Sequence, residues 1–316
     1  MSGGSSPDRR RQLVAEILLV GVTAVWGWTF VMVKDAVSLL PPLPFLAIRF
    51  GIAAFVMTIG LSLFRLGAGR RGRRAVKGGI RGSFRAGSVM GLLLGAGYIF
   101  QTFGLQRTTA SNAGFITGMF VVLVPVMQGL VWRVWPDVRA VVGVALAAAG
   151  LFFLSGGATE LHLAGDGLVF LCALSFAAHI LATSRYVALY DTSVLTVVQL
   201  GVVAVLTGLL SGAGAVLGVP VSLWAVGETR VLLALGVTAL FASAAAFYIQ
   251  TYAQRYAPPT RTAVILTMEP VFAGLFGYAL AGERLTVWGW VGAGAILCGM
   301  LVSEFRPTRR RKDVPV

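Results

Sequence analysis

The sequence predicts an all-α membrane protein: ten transmembrane helices in two inverted five-helix repeats, with both termini cytoplasmic. Composition is the first observation behind that prediction. Of the 316 residues, 57% are hydrophobic and only 12% charged, with a mean hydropathy of +0.84. A soluble domain carries about 25% charged residues, so most of this chain has no aqueous surface to supply. The second observation is a series of apolar runs of spanning length. The third is an internal echo. The pattern of Arg261 to Ser303 returns 149 places earlier, with Met268 on Met119, Ile265 on Ile116, Val271 on Val122, Gly292 on Gly143 and Gly299 on Gly150. At a shift of 148, Gln254-Arg255 falls on Gln106-Arg107; at 150, Gln199-Leu200-Gly201 falls on Arg49-Phe50-Gly51. A register that drifts by two places implies one duplicated unit of about 150 residues.

Residues 1–12 are Gly/Ser-rich and then basic, and form a cytoplasmic tail. The apolar run 13–33 has no small-residue cleavage site at its end, so it is a retained span rather than a signal. It meets the ~20 residues needed to cross about 30 Å of hydrocarbon. Nine further spans are placed near 43–64, 86–105, 110–132, 138–155, 166–187, 194–217, 230–252, 260–281 and 286–305. The first repeat is therefore 13–155, an outer linker covers 156–165, the second repeat is 166–305, and 306–316 is a second cytoplasmic tail.

Charge sets the orientation. With the N-terminus inside, 21 of the 26 Lys and Arg lie on the inner side, eight of them between Arg65 and Arg85. Four lie outside and Arg49 is within a span. That positive-inside asymmetry supports an even number of spans with both termini inside. The same clustering between apolar runs reads as topology rather than as a nucleic-acid surface. Five spans per repeat is odd, so the second repeat enters the membrane upside down. Inverted repeats of this kind build secondary transporters with a site near the midplane. Cys172 and Cys298 both fall in apolar runs and read as small buried hydrophobes.

Trp26-Gly27 in the first span, Pro44 with Arg49 in the second, and Thr109-Ala110-Ser111-Asn112 opening the fourth carry a resemblance. So do Glu269-Pro270-Val271-Phe272, Gly282-Glu283-Arg284-Leu285 and Gly292…Gly299. Together they resemble the EamA-type carriers of the drug/metabolite transporter superfamily, over essentially all ten spans. The resemblance implies a ten-helix carrier, many members of which export amino acids or other small metabolites, with one branch similar to bacterial aromatic amino acid exporters. The first repeat departs from the pattern: Val134-Trp135 stands where the second has Glu283-Arg284, and Phe120-Val121 where it has Glu269-Pro270.

Arg49 and Glu269 are the ionisable residues farthest into the apolar spans. A charge at a helix centre costs roughly 2.5–3.5 kcal/mol on insertion scales, so such residues are paired, water-facing or functional. Two readings stay open. The pair is a fixed ion pair or capping contact, or Arg49 faces a substrate carboxylate while Glu269 binds a proton or an amine. His179 sits mid-span with Ser175 and Thr183 on one face, positions that suit either a satisfied core histidine or a site. Tyr98, Gln101, Tyr248 and Tyr252 offer apolar bodies with polar tips, which fits the lining of a wet cavity. Trp26, Phe30, Asn112, Phe115 and Met119 complete the candidate pocket, with plain helix packing as the alternative for its apolar members. Gly143, Gly150, Gly292 and Gly299 are close-packing positions rather than binding residues.

The expected activity is outward transport of amino acids or similar small metabolites across the bacterial cytoplasmic (inner) membrane. It would proceed by rocking of two five-helix halves, as uniporter or coupled to protons. A multidrug, nucleotide-sugar or other metabolite carrier is the alternative on the same fold. An integral membrane enzyme finds no support, because no nucleophile or base is paired with an orienting group. No cofactor or metal is expected. The expected partners are a small-molecule substrate and membrane lipids, in a monomer or weak dimer.

Overall fold

The computed structural model describes residues 7–67, 77–156, 162–217, 223–281 and 286–304, and these are helical almost throughout. Eight helical segments are long and apolar enough to cross a membrane, and two shorter apolar helices, Val138–Leu154 and Val287–Ser303, accompany them. The chain runs through α1 (Pro7–Leu39), α2 (Pro42–Gly67), α3 (Ile80–Leu105), α4 (Ala110–Gly118), α5 (Phe120–Trp132) and α6 (Val138–Leu154). It continues with α7 (Leu163–Leu189), α8 (Thr192–Val216) and α9 (Thr229–Val237), then a π-helical segment (Thr238–Ala245) and α10 (Ala246–Ala253). α11 (Pro259–Leu266), α12 (Glu269–Ala281) and α13 (Val287–Glu304) complete it.

The structure adds detail to three expectations. Helix α1 begins at Pro7, so the basic Arg9–Arg11 stretch is helical and continuous with the first span in a 33-residue helix. The basic loop shrinks from both sides, since Arg65 lies in α2 and Arg81 and Arg85 lie in α3; Arg70, Arg71, Arg73 and Arg74 fall outside the described residues. Cys172 is buried as expected, but Cys298 is exposed on the flank of α13.

α6 and α13 are held together by the glycines. A Cβ on Gly143 would come within 3.0 Å of the Gly299 carbonyl, and one on Gly299 would meet Gly143 in return. Gly150 and Gly292 are reciprocal in the same way. Since 143 meets 299 and 150 meets 292, the helices run antiparallel. Their backbones approach more closely than any side chain permits, which is how helices associate without a hydrophobic drive between them.

The two repeats exchange their first helices. α1 packs on α9, α10, α11 and α12, whereas α7 packs on α3, α4 and α5. α2 and α8 lie along each other at the centre, and α3 packs on both α7 and α8. The packing thus mixes the repeats, and the bundles are not the two halves of the sequence. One core cluster shows this mixing directly, joining Ala15, Leu19, Val121, Val124, Ala177, Ile180, Val264 and Ile265.

Candidate functional site

Two transmembrane segments are broken at equivalent places. α4 ends and α5 begins at Met119, and α11 and α12 are separated at Thr267–Met268. Met268 is the residue that the 149-place shift lays on Met119. Pro270 has no N–H to return to the carbonyl of Leu266, which explains why the helix stops there. Around Met119 the turn tightens instead, its N–H donating to Ile116 O at 3.1 Å while Val122 N donates back to Met119 O at 2.9 Å.

A third irregularity has no counterpart. Thr238–Ala245 is π-helical, while the equivalent α3 is regular throughout. Widened turns of this kind free backbone groups and often sit at functional sites. Here the Ala242 carbonyl accepts Trp26 Nε1 at 2.8 Å and Arg49 Nη2 at 3.3 Å. The next residue, Ser243, accepts Arg49 Nε at 2.7 Å. Arg49 is only 5% exposed, and its guanidinium carbon lies 5.3 Å from the Phe50 ring centroid, a cation–π contact.

Aromatic rings continue from this anchor. Trp26 and Phe247 are 5.5 Å apart, Phe247 and Phe50 6.0 Å, Phe50 and Tyr98 5.2 Å, and Tyr98 and Phe176 5.6 Å. Tyr98 is also within hydrogen-bonding reach of Arg49, and Glu269 acts on the guanidinium electrostatically. Arg49 and Glu269 do not form the contact ion pair that was one expected reading. Arg49 is anchored on the π segment, and Glu269, the first residue of α12, is partly exposed.

His179 has a different partner from those its own helix offers. Its Nε2 bonds Gln199 Oε1 at 2.9 Å, with Thr183 more distant at 3.5 Å, while Ser175 turns to the Leu171 carbonyl. Gln199 Nε2 donates to Thr251, and Thr251 donates to Phe247 O. The histidine ring meets Phe247 edge-on at 6.3 Å, so this network backs onto the aromatic cluster.

The remaining candidates separate. Gln101 reaches Thr117 at 3.4 Å, next to the α4–α5 break. Asn112 is buried at the start of α4, where its side chain bonds Asp166, so it belongs to one end of the molecule and not to the pocket. Phe115 packs on the cluster of Leu151, Met268 and Ile296 and edge-on to Phe152, which makes it a packing residue. Tyr252 pairs with Tyr256 near Arg11, at the end that carries the termini, and Tyr248 is 37% exposed and joins neither the ring cluster nor its hydrogen bonds. The side chain of Phe30, with Glu283 and Arg284, lies outside the described residues. Ser243, Phe50, Phe176 and Phe247 join the Arg49 cluster, and Gln199 the hydrogen-bond network behind it, although composition did not single these residues out. Only Gln199 left a signal, by falling on Arg49 in the 150-place shift.

The family model of the EamA-like transporters matches this chain twice, over residues 13–156 and 163–305. The chain belongs to the EamA-like transporter family. As a member with eight spanning-length apolar segments it is a multi-pass membrane protein. It is 36% identical to an uncharacterized transporter of Archaeoglobus fulgidus over 96% of this chain and 89% of that one. It is 24% identical to the uncharacterized transporter YoaV of Bacillus subtilis, covering 93% and 97%, and to the uncharacterized inner membrane transporter YedA of Escherichia coli, covering 90% and 88%. A crystal structure matches with a TM-score of 0.71 over 90% of this chain and 95% of the other, at 19% identity, which speaks for the fold alone.

Proposed function

We propose that this EamA-like transporter is a secondary carrier of the bacterial inner membrane that exports amino acids or similar small metabolites by alternating access. Its ten helices, the two short ones included, form two inverted repeats with both termini cytoplasmic. Arg49 carries this reading. Its five N–H donors exceed what Ser243 and Ala242 O accept, and the rings of Phe50 and Tyr98 lie beside the guanidinium. A fixed guanidinium recognises a carboxylate strongly in a dry site, and rings beside it favour flat or apolar side chains. Glu269, at the N-terminus of a half-helix, is placed to receive a substrate amine or a coupling proton. The exchange of α1 and α7 means that each moving body contains helices of both repeats.

Uptake and counterflow of labelled amino acids in proteoliposomes, with and without a pH gradient, test the proposal. Saturable flux sharply reduced in Arg49→Gln supports the carboxylate site, and a gradient effect lost in Glu269→Gln makes that residue the coupling group. Flux indifferent to the gradient makes the protein a uniporter. No flux of any amino acid rejects this substrate class.

A further inference from the structure

Glu16 and Arg261 form a buried ion pair at the end of the molecule that carries the termini. They are 4% and 6% exposed, and Gln12 donates a second bond to Glu16 at 2.9 Å. The repeat has a counterpart for every member of this group. Asp166 lies 150 residues after Glu16, His162 lies 150 after Gln12, and Asn112 lies 149 before Arg261. At the far end these residues are again together: Asp166 bonds the Asn112 side chain, accepts from Thr108, and accepts the His162 backbone N–H at 2.8 Å. An acid meets the equivalent neighbours at both ends, with an arginine in one copy and an asparagine in the other, and with the Gln12 side chain replaced by the His162 backbone N–H.

The half-helices that carry these two residues differ in the same sense. Every residue of α11, Pro259 to Leu266, is buried, with Ala263 and Val264 at 0% exposure. In α4 the equivalents of Ala263 to Leu266 are Gly114, exposed, and Phe115, Ile116 and Thr117, all partly exposed. α11 is wedged among α1, α5, α6, α7 and α13, whereas α4 packs chiefly against α7. Further ties gather beside α11. Thr260 donates to Gln128 at 3.2 Å, and Gln254 and Arg255 donate to the α7 carbonyls of Ile180 and Val187. The half-helix α11 is thus enclosed more tightly than its equivalent α4.

We propose that α11 is the gate at the terminus end, that the Glu16–Arg261 ion pair is its lock, and that the Asp166–Asn112 contact is the weaker equivalent at the far end. A buried ion pair leaves an uncompensated charge when one partner is removed. Withdrawal of α11 brings water to both charges and relieves that cost. Neutralising either partner therefore favours the conformer open at this end. The arginine-for-asparagine difference between repeats biases the resting equilibrium toward a closed terminus end. This inference rests on the alternating-access reading but not on any substrate, so a failed substrate assignment leaves it standing.

The test is cysteine accessibility in nanodiscs, which expose both faces. In a Cys172→Ala, Cys298→Ala background, Thr262→Cys reports on the gate, because Thr262 is fully buried on α11. Its repeat equivalent, Ala113→Cys on α4, reports on the far end. A hydrophilic maleimide is expected to label Thr262→Cys slowly. Adding Arg261→Asn or Glu16→Gln should accelerate labelling roughly tenfold or more, while Arg261→Lys keeps it slow and Ala113→Cys is not accelerated. Unchanged labelling of Thr262→Cys in both neutralised variants overturns the lock. So does equal acceleration at both reporters, which signals general loosening, or acceleration by Arg261→Lys equal to that by Arg261→Asn.

Discussion

Arg49 and Gln199 stand 150 residues apart and occupy the same place in the two repeats, each followed by an apolar residue and a glycine. Both are buried near the centre, on the paired helices α2 and α8. Their surroundings differ. The Gln199 amide is consumed at both ends, its oxygen by His179 and its nitrogen by Thr251, which closes a neutral network. Arg49 is held on one side by Ser243 and the Ala242 carbonyl and keeps donors over for Tyr98 and a ligand. Under the proposed function, a symmetric scaffold carries recognition in one copy and structural support in the other. The π segment marks the same asymmetry, because it supplies Arg49's acceptors and α3 has no equivalent distortion.

The sharpest way to break this contrast is Arg49→Gln, which gives the first repeat the side chain of the second. Loss of a charge-assisted hydrogen bond, about 1.5–3 kcal/mol, should lower kcat/KM for a carboxylate substrate roughly 10- to 100-fold in proteoliposome flux. The melting temperature should change little, since Trp26 still serves the Ala242 carbonyl. Undiminished flux would move recognition away from α2.

Gln199→Leu is the converse. It strands His179, while Thr251 keeps its bond to the Phe247 carbonyl, and an unsatisfied buried polar group costs about 1–3 kcal/mol. The expected result is a clear drop in melting temperature in detergent, with a smaller change in KM than Arg49→Gln produces. A large KM change with unaltered stability would make the second network part of the site.

Gly150→Ala acts on both networks alike, because it pushes α6 off α13 where a Cβ meets the Gly292 backbone. Overpacking of this kind costs about 1–3 kcal/mol, so the melting temperature should fall while KM is unchanged. A melting temperature equal to that of the unsubstituted protein would show that the pair has room to separate. The smallest effect is expected from Trp26→Phe, which keeps the ring near Phe247 and removes one hydrogen bond worth about 0.5–1.5 kcal/mol. Its measurement is the temperature dependence of flux, with a modest loss expected because Arg49 retains Ser243.

Much of this molecule was legible from residue order alone. The apolar runs and the 149-place echo follow from local spacing, so the helical class and the close-packing glycines could be read directly. The same echo lays Met268 on Met119, and the structure breaks a helix at each, although the sequence reading expected both spans to run unbroken. Proline explains one of those breaks locally; the tight turn at Met119 carries no such sign. Residue order could not say which helices would pair. The exchange of α1 and α7 places Glu16 beside Arg261, 245 residues away, and the packing of α2 on the π segment places Arg49 beside Ser243, 194 residues away. Arg261 counted as a loop charge in the orientation tally, and packing turned it into a buried ion-pair partner. Asn112, Phe115, Tyr248 and Tyr252 were chosen for side-chain chemistry, yet the packing of their helices carries them away from Arg49. Periodicity and hydropathy are properties of a segment and its solvent, and one chain suffices to express them. Which carbonyl a guanidinium meets, and which end of a bundle is shut, depend on contacts between segments that the sequence keeps far apart.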